Sequence, residues 1–424
     1  MNTYSSYKDS GIEWIGEIPS EWDSLKLKYI FSEKPITHNT ELNCGSISFG
    51  RVVFKDNDKV PISTKKSYQE VLEGEYLINP LNLNYDLKSL RIGLSDIDVV
   101  VSSGYIVIKN RIEISKSYYK WLLHIYDILH MKLLGSGVRQ TISFNHISNS
   151  ILTYPPLHEQ QQISDYLDYK TSKIDILIEK TEQKIELLKE QRTSLINTTV
   201  TKGLNPNVEM KDSGVEWIGE IPSKWKTTRL KYIFKLREEK TDTGEGELLT
   251  VTITKGIVRR RDFIKKGDHL SRSKSLKGYK VCYTNDLVNN IMKMGFRCLG
   301  ISDYNGIVSP AYSVFSFINN KNKPMYWDYL LRTDLYVTEY KKRSKGIQES
   351  RMRLYDDYFL DIVSIVPPHQ EQQQIVDYLD KENSKLDKLI DIESKRIKLL
   401  KEYRQSLISD VVTGKVDVRD EVLG

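Results

Sequence analysis

Three arginines in a row, Arg259, Arg260 and Arg261, are followed closely by Lys265 and Lys266. A second basic run, Lys341, Lys342, Arg343 and Lys345, comes later in the chain. Towards the N-terminus Arg51, Lys55, Lys65 and Lys66 are spread more thinly, and Arg139 and Gln140 form an adjacent hydrogen-bonding pair. The chemistry open to such groups is recognition rather than bond-making. Lysine holds phosphate as a point charge, whereas arginine and glutamine can engage a purine edge through two hydrogen bonds. Taken singly, each of these residues also fits an ordinary solvated surface, so the clusters count for more than their members.

Residues that would make or break bonds are missing from any recognisable pattern. No Pro-Asp dipeptide opens a carboxylate-rich nuclease site, and Tyr154-Pro155-Pro156-Leu157 has the prolines of an amino-methyltransferase signature with the wrong flanks. Gly414-Lys415-Val416 lacks the rest of a phosphate-binding loop. The seven histidines have no metal-ligand spacing. Cys44, Cys282 and Cys298 are an odd number at spacings that match no zinc or redox motif, and read as reduced core thiols. No metal site, cofactor or catalytic residue is expected in this chain.

The elements that must position the cations come from a duplication. Residues 8 to 31, KDSGIEWIGEIPSEWDSLKLKYIF, return at 211 to 234 with 18 of 24 positions identical. PPLHEQQQISDYLDYKTSKIDILI at 155 to 178 returns as PPHQEQQQIVDYLDKENSKLDKLI at 367 to 390. Between these blocks the two inserts have diverged, although GLSDIDVVVSSGY (93 to 105) and GISDYNGIVSPAY (300 to 312) still align. Trp14, Trp22, Trp217 and Trp225 sit in the repeated framework, where core packing explains them better than base stacking. A residue that distinguishes targets should not be the same in both halves.

Charge follows the same division. Residues 226 to 366 carry 27 Lys and Arg against 16 Asp and Glu, a net +11, and residues 23 to 154 carry 16 against 13, a net +3. The remainder holds 20 against 28, a net −8, so the whole-chain value of +6 conceals basic inserts on an acidic frame. That is the bias a phosphate-facing surface requires.

After each double proline comes an apolar stripe at helical spacing: Ile163, Leu167, Ile174, Leu177, Ile178, Ile185, Leu188 and Leu195 in the first copy, and Ile375, Leu379, Leu386, Leu389, Ile390, Ile397, Leu400, Leu407 and Val411 in the second. Helices from about 157 to about 201 and over the matching second stretch are expected, stopping near Gly203 and Gly414. Neither can bury its stripe alone, so an antiparallel coiled-coil pair about 65 Å long is expected, with the inserts at opposite ends. Thr181, Arg192, Glu393 and Arg404 interrupt the stripes. They are either tolerated edge positions or register-fixing ones in which the arginines pair with acids on the facing helix. Each insert mixes β-branched runs with one helical stretch, SYYKWLLHIYDILHMKLL or PMYWDYLLRTDLYVTEYKK, and reads as α+β.

The arm KDSGxEWIGEIPSxW, the PPxxEQQQIxDYLD helix start and the closing VTGKVDVR together resemble the specificity subunit of type I restriction-modification systems, over essentially the whole chain. The resemblance implies an α+β chain with two α/β target recognition domains separated by two long antiparallel coiled-coil helices, related by a pseudo-two-fold repeat. On that reading residues 1–22 are an arm closing on the C-terminal tail, 23–154 and 226–366 the recognition domains, 155–202 and 367–424 the spacer helices (the second with the tail), and 203–225 the linker and repeated arm. It implies double-stranded DNA as ligand, two methyltransferase subunits and restriction/translocase subunits as partners, and S-adenosylmethionine, ATP and Mg on those partners. A coiled-coil scaffold with protein-binding inserts is the alternative. No apolar run suits a membrane and the N-terminal residues do not resemble a secretory signal, so a cytoplasmic protein is expected.

Overall fold

The computed structural model describes residues 2–56, 60–81, 90–131, 134, 142–264, 275–346 and 352–421. The chain divides into two compact units, Met1–Glu182 with Lys395–Gly424, and Gln183–Ser394. Each contains one insert, here called a head, and part of each long helix. The mixed α/β heads and the paired long helices give the expected architecture.

Head one is built on the strands β1 (Phe31–Glu33), β2 (Gly45–Ser48), β3 (Arg51–Phe54), β4 (Tyr76–Ile78), β5 (Ile92–Leu94) and β6 (Ile106–Asn110). An antiparallel sheet runs in the order β1-β6-β4-β5, while β2 and β3 form a separate hairpin. Alternation along the strands decides what each face buries. Tyr76, Ile78, Ile106 and Ile108 join the main core with α1 (Lys116–Leu129). Leu77 and Val107 point the other way, into a smaller cluster with Val52 and Val99. Ser115 caps α1 by accepting from the Tyr118 N–H at 3.3 Å.

The first long helix, α2, spans Leu157–Lys202. It begins after two prolines and ends before Gly203, whose φ of 80° is the left-handed conformation a helix stop requires.

Head two repeats the plan with β7 (Phe234–Leu236), β8 (Leu249–Thr252), β9 (Gly256–Arg259), β10 (Leu287–Asn290), β11 (Leu299–Ile301) and β12 (Tyr312–Phe317). Its sheet order, β7-β12-β10-β11, is that of head one, and β8 and β9 form the matching hairpin. The helical stretch expected as one piece is two helices, α3 (Pro324–Leu331) and α4 (Asp334–Arg343). The break lies at Thr333, which takes an extended ψ of 157°, while Arg332 reaches back to the β8–β9 turn and donates to the carbonyls of Ile253 and Thr254 at 3.0 and 3.1 Å. A tertiary contact has overridden local helix propensity. The second long helix, α5, spans His369–Val412.

The EQQQ motif ties each long helix to its head. Gln160, fully buried, donates to Pro155 O at 2.8 Å and accepts from Ser115 N at 3.0 Å. Gln372, equally buried, donates to Pro367 O at 3.0 Å and accepts from Lys323 N at 3.0 Å. Buried amides satisfied at both ends specify one geometry for the joint. From the other side Tyr118 donates to Val412 O, and its counterpart Tyr326 to Val200 O, each at 3.0 Å.

Within each unit the two helices run antiparallel. In the first, Arg404 donates to Asp175 at 2.9 and 3.2 Å, and Lys401 pairs with Glu182 at 3.6 Å. In the second, Lys184 pairs with Glu393 and Arg192 with Asp387, each at 2.5 Å. Both arginines therefore meet acids on the facing helix. Buried or half-buried seam positions recur at intervals of three, four or seven residues, close to the 3.5-residue repeat of a coiled coil. In α2 they are Ile163, Leu167, Thr171, Ile174, Ile178, Thr181, Ile185, Leu188 and Leu195, and in α5 Ile375, Leu379, Leu386, Glu393, Ile397, Leu400 and Leu407. Leu389, expected in the stripe, is 44% exposed, while its neighbour Ile390 is half-buried and takes the seam position between Leu386 and Glu393. Thr181 satisfies its hydroxyl by donating to Leu177 O at 2.6 Å.

In the first unit the arm meets the tail: Asp417 N donates to Asn2 O at 2.9 Å, and the Arg419 guanidinium lies 4.7 Å from the Tyr4 ring centroid. Tyr4 donates in turn to Glu159 at the start of α2. The second unit has Trp225 donating to Glu371 at 2.9 Å in the corresponding place. Trp22 and Trp225 are both fully buried, as core packing requires.

Candidate nucleic-acid interface

In head one the hairpin sets the basic residues. Arg51 opens β3 opposite Ser48, and Lys55 follows the strand; both are exposed. Lys65 ends the short helix Ile62–Lys65, half-buried, and Lys66 caps it, exposed. Apolar side chains stand among these cations. Phe49 is 80% exposed, Phe54 58% and Ile62 74%. Arg139 and Gln140 lie outside the described residues.

In head two Arg259 ends β9 and stacks over Tyr304, 4.7 Å from the ring centroid. Arg260 and Arg261 open the short helix that follows, and Arg261 pairs with Glu247 at 2.9 Å. Lys341, Lys342 and Arg343 form the last turn of α4. Lys341 lies 5.7 Å from the Phe296 centroid, Arg343 bonds Glu339, and Lys345 lies 4.5 Å from the Tyr358 centroid. Lys342 and Lys345 are exposed. The structure thus places the two basic runs on different elements, with an aromatic ring or a carboxylate against Arg259, Arg261, Lys341, Arg343 and Lys345. Lys265 and Lys266 lie outside the described residues.

Several residues of these surfaces carry no sequence signal. Each hairpin rests on its sheet through two glycines. A Cβ on Gly93 would meet Gly50 O at 2.8 Å, and one on Gly300 would meet the Gly256 Cα at 3.0 Å. Only the alignment of the two GxSD islands hints at Gly93 and Gly300, and nothing in the sequence says what they touch. Arg237 clamps Asp286 through two hydrogen bonds of 2.8 and 3.0 Å, which raises the Arg237 pKa further. Burial pushes the Asp328 carboxyl up despite its bonds from Arg332 and Ile301 N. Beside the β8–β9 turn opens a cavity of about 490 Å³ lined by Arg192, Ile253, Arg297, Arg332 and Asn383 among others. In the first unit the matching arginine, Arg404, lies 5.6 Å from the Trp121 centroid.

Among the described residues no group of three or more His, Cys, Asp or Glu side chains is placed to hold a metal ion, and no helix is long and apolar enough to cross a membrane. What the arrangement can do is hold two unlike, cation-bearing hairpin faces on one repeated frame.

Comparison with known proteins agrees. The HsdS subunit from Thermoanaerobacter tengcongensis has a similar fold, with a TM-score of 0.53 at 14% identity over 94% of this chain and 98% of that one. A chain solved in a study of the complex assembly and conformational transition of the type I R-M system gives 0.58 at 14% identity over 94% and 99%. No curated protein matches the chain in sequence. Residues 19–187 and 222–402 each match the type I restriction modification DNA specificity domain. With both halves accounted for, the chain belongs to the type I restriction-modification DNA specificity family.

Proposed function

We propose that this chain is the specificity subunit that reads a bipartite DNA site, each head selecting one half-site, while partner subunits methylate adenine or cleave. The observation that carries this reading is the pair of heads with one sheet topology and different exposed residues on the same hairpin. A frame built twice does the same job twice, and divergent faces choose different targets. A protein-assembly scaffold has no comparable support, because both halves match a DNA specificity domain.

The partners that fit are two methyltransferase subunits, carrying S-adenosylmethionine, with restriction/translocase subunits using ATP and Mg. In support, Leu187 and Leu399 occupy equivalent positions of the repeat, and both are 63% exposed on a helix face. Two equal apolar sites suit two copies of one partner. The chain itself contributes recognition and no catalytic group.

The test is binding of the chain with its methyltransferase partner to cognate and random duplexes across a salt series. Cognate binding should be stronger. If about six or more phosphates are contacted, affinity should fall about a thousandfold or more between ~50 and ~200 mM salt. Equal binding to both duplexes would sink the reading.

A further inference from the structure

The β2–β3 hairpin closes through two residues only, Phe49 and Gly50, with φ of 46° and 75° and Ser48 paired to Arg51. Two successive positive φ values make the turn that favours Asn-Gly. A bulky ring is a poor occupant of the first position, since side chains beyond Cβ crowd the left-handed region. Phe49 is also the most exposed large hydrophobic side chain among the described residues, at 80%. The chain thus keeps a phenylalanine where it helps neither the turn nor the core. Backbone strain of this kind collects at functional sites.

The seat beneath the tip is stiff. A Cβ on Gly93 would meet Gly50 O at 2.8 Å, and one on Gly50 would meet the Leu90 Cβ at 3.2 Å. Head two also seats a glycine on its sheet, Gly256 on Gly300, but under a longer turn of Ile253, Thr254 and Lys255, in which Ile253 is 52% exposed. A glycine seat used in both heads under turns of different length and sequence is the form a target-selecting element should take.

We propose that Phe49 is a base-contacting residue of head one: the hairpin tip enters a groove of the duplex and the ring packs on a base face at one step of the half-site. This rests on the reading of the chain as a DNA specificity subunit. A ring without polar atoms can gain little from phosphate or from base-edge hydrogen bonds. Base faces at a partly opened step offer the apolar surface it needs, and a stiff mount lets it act as a wedge. Arg51, adjacent and exposed, supplies a cation for the nearby backbone.

The experiment uses the full chain with its methyltransferase subunits and the site found by methylation mapping of the wild-type complex. 2-Aminopurine is walked through the first half-site, and wild type is compared with Phe49→Asn and Phe49→Trp. Besides the adenine that the methyltransferase itself takes out of the stack, wild type should raise the fluorescence at one further position. Phe49→Asn should abolish that rise and lower discrimination at the same base pair about tenfold or more, with the other half-site unchanged. Its unfolding midpoint should not fall, because Asn-Gly suits the turn, and Phe49→Trp should keep the signal. If wild type binds cognate and random duplexes alike, DNA reading itself fails. If wild type discriminates and folded Phe49→Asn matches it at every position, the role given to Phe49 is overturned while DNA reading stands.

Discussion

At the scale of single residues, contacts that nothing in the local sequence announces set the hairpins. Replacing Gly93 with alanine places a methyl group 2.8 Å from a backbone oxygen that cannot rotate away. We expect Gly93→Ala to cost about 1–3 kcal/mol in a denaturant titration, as overpacking does, against near neutrality for alanine at an exposed strand position. The cysteines behave differently, being readable in advance from their spacing. All three are buried thiols, and burial pushes Cys282 up to about 12. Since the thiolate is the nucleophile, iodoacetamide at about pH 8 should leave Cys282 unmodified in the folded protein and label it once denaturant is added. Spacing revealed the thiols because it excludes metal and redox motifs. It could not reveal Phe49, whose neighbours spell Phe-Gly where the turn rule looks for Asn-Gly.

At the scale of elements, periodicity located α2 and α5 well because forty-odd residues repeat one signal. It misjudged Leu389, since an amphipathic stripe is wide enough to take in positions beside the narrower coiled-coil seam. It also drew α3 and α4 as one helix, because the bond from Arg332 to a distant turn leaves no mark on local propensity. The seam's stability should lie in its apolar positions. Ile174 is 8% exposed, so Ile174→Ala should cost about 2–5 kcal/mol. The Arg404–Asp175 pair is a quarter to a half exposed, and solvent screening should hold Arg404→Ala below about 1 kcal/mol. Thermal or urea unfolding of the two variants checks the ranking, and a larger loss for Arg404 would show that the pair does more than set register.

At the scale of the molecule, duplication and charge were legible because identity over 24 positions and a net +11 insert need no geometry to be noticed. The compact units were not. The repeats join near residue 203, whereas the units divide within the long helices, at Glu182 and Lys395. Antiparallel pairing shares each helix between units, and a linear sequence cannot display that. If the helices set the gap between half-sites, adding one turn near Leu188 should change the gap and leave both half-sites unaltered in methylation maps of the variant complex. Altered half-sites would count against a spacer role.

The first unit's core includes Leu407, Ile408, Val411, Val412 and Val418, and Tyr118 of its head hydrogen-bonds Val412 O. The second unit is one continuous stretch. Domains are generally completed on the ribosome in order of synthesis. Here the order is inverted: residues 183 to 394 can close as soon as they are made, while the head translated first must wait for the last helical turns to arrive. Until the second long helix is made, that segment carries an unfinished apolar face.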